Sequence, residues 1–141
     1  MVGTRDSALV PELVRAWGPR VSQDRKSLSV CLAQAVSART LGNLSDNGRL
    51  AVTFALPADS HAIQVWGRCI GTGQPQRLDL AAVEAHRDLF ARVNEGLGVP
   101  RVLVEALWQR ELAGSPGMVK IRFAAEQIFN QTPGPGAGSP L

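Results

Sequence analysis

Around Asn47-Gly48 the apolar pattern changes its period, and that change restricts what the chain can fold into. Upstream, Ala38, Leu41 and Leu44 recur at three-residue steps, the spacing of one helix face. Ser37 stands as N-cap and Asn47-Gly48 as a left-handed stop. Downstream, Leu50, Val52, Phe54 and Leu56 alternate with Arg49, Ala51, Thr53 and Ala55, the period of a strand with one buried face. Pro57 to Ser60 breaks the run, and a second strand is predicted from about His61 to Ile70. On that strand Ala62, Gln64, Trp66 and Arg68 share one face, with Ile63, Val65 and Gly67 on the other. Residues 36–70 therefore predict a short helix that leads into a hairpin. Arg39 and Thr40 fall in the first turn of the helix, where free backbone N–H groups, a hydroxyl and a guanidinium suit a phosphate. An ordinary cap and a solvated Arg would read the same way.

The flanking segments extend the sheet. Val2 to Thr4 starts a strand and Arg5-Asp6-Ser7 turns it. Leu9, Leu13 and Trp17 then share a face of a second extended run, which Gly18-Pro19 ends. Pro11 lacks an amide proton, so this run lies at a sheet edge or begins at the proline. Arg15, within V-R-A-W-G, is either a solvated edge cation or a ligand for an anion. After the polar turn Ser22 to Lys26, Leu28, Val30 and Leu32 alternate with polar or small residues as a third strand, and Ala33-Gln34 leads into the helix. The Gln34 amide is either solvated or placed to donate to a ligand.

Beyond Thr72-Gly73-Gln74-Pro75 the pattern turns helical. Val83, His86, Phe90, Val93 and Leu97 recur at helical steps, with Asp79 as N-cap and Gly96 to Gly98 as stop. That stripe makes His86 a structural residue. Pro100 opens another helix, whose apolar face is Leu103, Val104, Leu107, Trp108 and Leu112, closed by Gly114-Ser115-Pro116-Gly117. Val119, Ile121 and Phe123 then start a last long strand that continues through Ile128-Phe129. The end of the chain, QTPGPGAGSPL, excludes regular structure, because Pro removes donors and Gly adds freedom. It reads as a frayed end, or as one that lies across a partner subunit near a cofactor.

Length and composition set the scale. At 141 residues and 45% hydrophobic content the chain buries one core. Residues 1–130 are expected to be a single domain with peripheral helices over about 79–113, and 131–141 a tail. The net charge of +3 is dispersed and aromatic content is 5%, without tyrosine, which argues against a stacking platform for nucleic acid. No segment approaches the apolar length of a membrane span, and no basic-then-apolar leader opens the chain, so a cytoplasmic location is expected. The two cysteines, Cys31 and Cys69, sit in apolar strand patterns and read as buried free thiols. Neither histidine stands near a nucleophile motif or carboxylates at ligand spacing, so no catalytic side chain and no metal site is expected. If the protein is an enzyme, its reactive atoms belong to a bound cofactor.

The order of these elements, and the wording S-A-R-T, N-G-R and Q-V-W-G-R, resembles the pyridoxamine 5'-phosphate oxidase-like FMN-binding split-barrel family over residues 36–67. The resemblance implies a mainly β fold, an antiparallel split β-barrel with peripheral helices, built as a homodimer that binds FMN in clefts between subunits. It implies Arg39 and Thr40 at the cofactor phosphate, with Arg15 assisting, and Ala16, Trp17, Gln34 and Gln64 near the ring. The chain departs from the family's pattern at Thr40, where Lys is usual, and at Gln64, two residues beyond the usual amide position near Ala62. With a short second half in place of the family's substrate-binding Arg and His residues, oxidation of pyridoxamine phosphate is not expected. The expected activity is that of an oxidoreductase on another small molecule. A non-catalytic flavin or haem carrier or sensor, and a basic nucleic-acid-binding β-barrel, are the alternatives.

Overall fold

The computed structural model describes residues 1–112 and 117–141. The Gly114-Ser115-Pro116 stop and the side chain of Leu112 lie outside the described residues. In chain order come β1 (Val2–Arg5), β2 (Pro11–Val14), β3 (Trp17–Val21), β4 (Leu28–Ala33), a 3-10 turn (Gln34–Val36), α1 (Ala38–Asn47) and β5 (Arg49–Leu56). These are followed by β6 (His61–Gly73), α2 (Arg77–Gly96), α3 (Arg101–Leu112) and β7 (Met118–Asn130). Among the described residues the strands form one seven-stranded sheet in the order β2-β1-β5-β6-β7-β4-β3, with antiparallel neighbours throughout. Pro11 does sit on an edge strand, where its missing donor costs no ladder bond.

Strand alternation makes the first core. Val14 from the β2 edge, Val30 and Leu32 from β4, Leu50 and Val52 from β5, and Ile121 and Phe123 from β7 pack in one cluster. Residues from near opposite ends of the sheet can meet this way only if it curls round on itself as a barrel. Each fully buried aliphatic side chain there stabilises the fold by roughly 1.5–3 kcal/mol. α1 closes one side of the barrel with Leu44 and stops at Gly48, whose φ of 68° and N–H bond to the Leu44 carbonyl form the expected left-handed cap.

The second core lies between the sheet and the helical flank. It consists of Trp17, Cys31, Val83, Trp108 and Met118, with Phe90 against them. The Trp17 ring meets Trp108 edge-on at 4.8 Å between centroids, and Phe90 at 5.9 Å. The residues between Leu9 and Val21 are two strands, not the single run the spacing predicts, and Gly18-Pro19 does not end it. The chain breaks at Arg15-Ala16 and then continues as β3 through Gly18-Pro19, with a bulge between Trp17 and Arg20. Gly18 makes this possible. Its φ is 57°, and a Cβ there would lie 2.7 Å from the Val83 backbone nitrogen, so a side chain would push α2 off the sheet.

α2 also begins differently. Gln76 is its N-cap and Asp79 is the N3 partner of a capping box, not the cap itself. The Asp79 carboxylate is buried and takes bonds from Arg20 at 2.7 Å and Lys120 at 2.8 Å, which pins the helix to β3 and β7. Burial pushes this carboxyl up, but the bonds from Lys120, the Gln76 amide and Arg20 outweigh it and hold it below the usual carboxylate range. In α3, Val104 and Trp108 face inward as expected, whereas Leu103 is exposed.

The Pro/Gly-rich end is not frayed. It turns back on β7, with Asn130 N–H donating to the Ser139 carbonyl, Leu141 N–H to the Ile128 carbonyl, and a bridge between Phe129 and Pro140. Glycines at positive φ, Gly134, Gly136 and Gly138, allow the reversal that a reading based on lost donors alone does not anticipate.

Candidate functional site

α1 reaches the surface at its N-terminus, and that end carries the phosphate hypothesis. Ser37 occupies the N-cap position but does not cap. Its hydroxyl donates back to the Gln34 carbonyl, and among the described residues no side chain accepts from the first-turn N–H groups. No acidic residue lies in that turn. The helix dipole and its free donors therefore face outward unanswered. Arg39 is exposed, its nearest acidic partner being Glu12 on β2 at 3.5 Å. Thr40 is the opposite case. Its side chain is turned inward, fully buried, and its hydroxyl is an orphan among the described residues.

The remaining predicted residues lie in two other places. Arg15 spans the end of β2, its guanidinium 5.8 Å from the centroids of Trp17 and Phe90. Ala16 is half-buried beside it and packs against the barrel core. The Trp17 indole is 2% exposed and committed to the second core. Gln34 is exposed on the 3-10 turn, close in sequence to α1, with its backbone N–H on the Gly117 carbonyl. Gln64 stands on the outer face of β6. Its Nε2 donates to Thr53 Oγ1 at 3.1 Å and its Oε1 accepts from Trp66 Nε1 at 2.7 Å. Within one chain, then, Gln34, Arg39 and Thr40 gather at the start of α1, while Gln64 belongs to a separate surface of the barrel.

Two groups able to titrate, His86 and Cys31, pack at the second core. His86 Nδ1 accepts from the Gly18 N–H at 3.2 Å and its ring lies 5.5 Å from Trp17. Burial, with the Met1 ammonium as a smaller cause, holds the imidazole below its usual range. Burial, with the Asp79 charge behind it, pushes the Cys31 thiol up to about 11, so it is no nucleophile at neutral pH. Cys69 is a free thiol as well and is partly exposed. Among the described residues no cluster of three His, Cys, Asp or Glu could hold a metal ion, and no helix is long and apolar enough to cross a membrane.

A curled antiparallel sheet flanked by helices defines the protein as a split β-barrel. Solved structures agree: the chain has the fold of the pyridoxamine 5'-phosphate oxidase-like split barrels. HupZ of Group A Streptococcus is similar at 20% identity over 98% of this chain and 88% of its own, with a TM-score of 0.55. An FMN-binding protein from Syntrophomonas wolfei is similar at 14% identity over 92% of this chain and 74% of its own, TM-score 0.52. So is a Clostridium acetobutylicum protein related to general stress protein 26, of the pyridoxinephosphate oxidase family, at 14% identity over 92% and 76%, TM-score 0.50. At these identities the likeness is one of fold. Neither a protein-family model nor a curated protein sequence matches the chain.

Proposed function

We propose that the protein is an FMN-binding flavoprotein, an oxidoreductase that acts on a small molecule as a cytoplasmic homodimer with the cofactor in a cleft between subunits. The observation that carries this reading is the uncapped first turn of α1 with Arg39 beside it. A phosphate monoester there would accept from free backbone N–H groups, and Arg39 would exchange its long contact with Glu12 for a charge-assisted bond. Thr40, in the same turn, would contribute its backbone N–H, its hydroxyl being buried and turned inward. Supporting the choice of cofactor is the fold shared with a protein described as FMN-binding.

When bound, FMN supplies a ring that takes up and releases electrons. The chain's own part is to hold the phosphate at α1, to orient the ring through Gln34 and Gln64, and to exclude water. Gln64 already has both ends of its amide fixed, so it offers a rigid edge instead of a swinging donor. The tail, held against β7 by the Phe129–Pro140 bridge, would lie across the partner subunit near the cofactor.

The test is a visible spectrum of the purified protein, repeated during titration with FMN. Flavin bands that saturate near one per chain, with bleaching by NAD(P)H and recovery on adding an oxidant, are expected. A folded protein that ignores FMN would remove the cofactor. Binding without reduction would instead favour a carrier or sensor.

A further inference from the structure

The outer face of the barrel carries a cleft whose lining the reading above does not assign, although it adjoins Gln64, which that reading sets at the flavin ring. Strand register places Gly3 opposite Ala51 and Ala51 opposite Trp66, so one row across β1, β5 and β6 runs from no side chain to a methyl group to an indole. Two strand spacings, roughly 10 Å, thus form a bare shelf beside an upright Trp. The cleft over this shelf has a volume of about 760 Å³. Trp66 is 48% exposed yet held in place, with its Nε1 on Gln64 and Phe129 against its ring at 4.8 Å. An exposed indole with both its tilt and its N–H fixed is preorganised to receive a flat partner.

The rim has a sign. Arg5 and Arg49 line the cleft on the side away from Gln64, and among the described residues neither has an acidic partner. Glu126, the acidic residue lining it, is already paired with Arg68 at 3.1 Å. No lining residue comes from α1 or from the β2–β3 link, so the cleft is separate from the proposed phosphate site.

We infer that this cleft is a binding site for a planar aromatic carboxylate, whose rings lie on Ala51 and Gly3 against Trp66 while its carboxylate pairs with Arg49. Ring and charge are both required. A flat neutral ring would leave the guanidiniums unanswered, and a saturated acid could not lie against the indole. The inference does not depend on flavin binding.

The test titrates the full chain with 2-naphthoate while the indole N–H signals are followed by NMR. The Trp66 signal should shift and saturate, and those of the buried Trp17 and Trp108 should stay. Equilibrium dialysis should find 2-naphthalenemethanol and cyclohexanecarboxylate each bound at least about tenfold more weakly, and Arg49→Gln about fivefold weaker for 2-naphthoate. Ala51→Leu, which fills the shelf on an exposed face and leaves Trp66 in place, should abolish the shift. A Trp66 signal unmoved at millimolar 2-naphthoate overturns the inference, as does equal binding of the neutral alcohol. It is overturned equally if FMN displaces the probe competitively, or if sedimentation shows a dimer in which Trp66 is buried and unresponsive.

Discussion

The barrel core and the helical flank are built by different rules. Inside the barrel, aliphatic side chains and Phe123 pack by strand alternation, with Phe54 and the Cys69 thiol against them and, among the described residues, no carboxylate or cationic side chain in that cluster. Under α2 and α3, two tryptophans, a phenylalanine and a histidine pack by ring geometry, and a buried carboxylate between two cations fastens the helix. The first region depends on area removed from water. The second adds orientation and charge, so it is the one whose stability should respond to pH.

The largest expected effect tests whether the two regions are one cooperative unit. Trp17→Ala should destabilise by about 3–5 kcal/mol, because its neighbours Val83 and Phe90 on α2 and Trp108 on α3 are held by their helices and cannot collapse into the space. In urea, far-ultraviolet circular dichroism and Trp fluorescence should report one shared transition. Two transitions would show that the flank comes away while the barrel persists.

Asp79→Asn should cost about 2–3 kcal/mol by leaving Arg20 and Lys120 with a neutral partner. The sign with pH is fixed. The folded carboxyl lies below its unfolded value, so its contribution is present above the unfolded carboxylate range, about pH 4, and is lost as pH falls through the folded value. Denaturant titrations of wild type and variant should converge in acid. A gap that stays constant to low pH would assign the loss to packing instead.

The same contrast explains what could be read from the sequence. The hairpin, the faces of its strands and the Gly48 stop were legible because one local period decides them, and Pro11 announced the edge strand because a missing N–H has few places to go. The second core was not legible. Trp17, Val83 and Trp108 lie far apart in the chain, and what joins them is the bulge at Gly18, whose conformation no periodicity reports. Asp79 looked like a cap because caps are local, whereas its ion pairs reach back to Arg20 and forward to Lys120. At the candidate site, the helix start was readable, but the outward turn of Arg39 and the inward turn of Thr40 depend on which face α1 lays on the sheet. Trp66 could be placed on a face by alternation. That its neighbours are a glycine and an alanine required the register with β1, which connects residues distant in sequence.

Arg39→Ala probes the ligand end of α1 against both cores. Arg39 is exposed and its pairing with Glu12 is long, so stability should change by less than about 0.5 kcal/mol. FMN affinity should fall roughly tenfold, about 1.4 kcal/mol, through loss of a charge-assisted bond. Unchanged affinity in a folded variant would move the phosphate away from this turn. A large loss of stability would mean that Arg39 supports the fold instead of a ligand.

The smallest effect concerns His86. Its imidazole is held below the usual range chiefly by burial, and its Nδ1 can accept from the Gly18 N–H only while unprotonated. Unfolded chains therefore bind the proton more readily than folded ones. Stability is complete above the ordinary imidazole value, about 6.5, and declines as pH falls from there towards the folded value. His86→Gln keeps an acceptor for Gly18 but cannot titrate. It should remove that decline while costing some ring packing against Trp17 at neutral pH. Denaturation midpoints of both proteins between pH 7.5 and 5 decide the matter. Parallel curves would mean that the flank opens enough for His86 to be protonated without unfolding, and the contrast between a dry barrel and a rigid flank would then give way to one between a rigid barrel and a breathing flank.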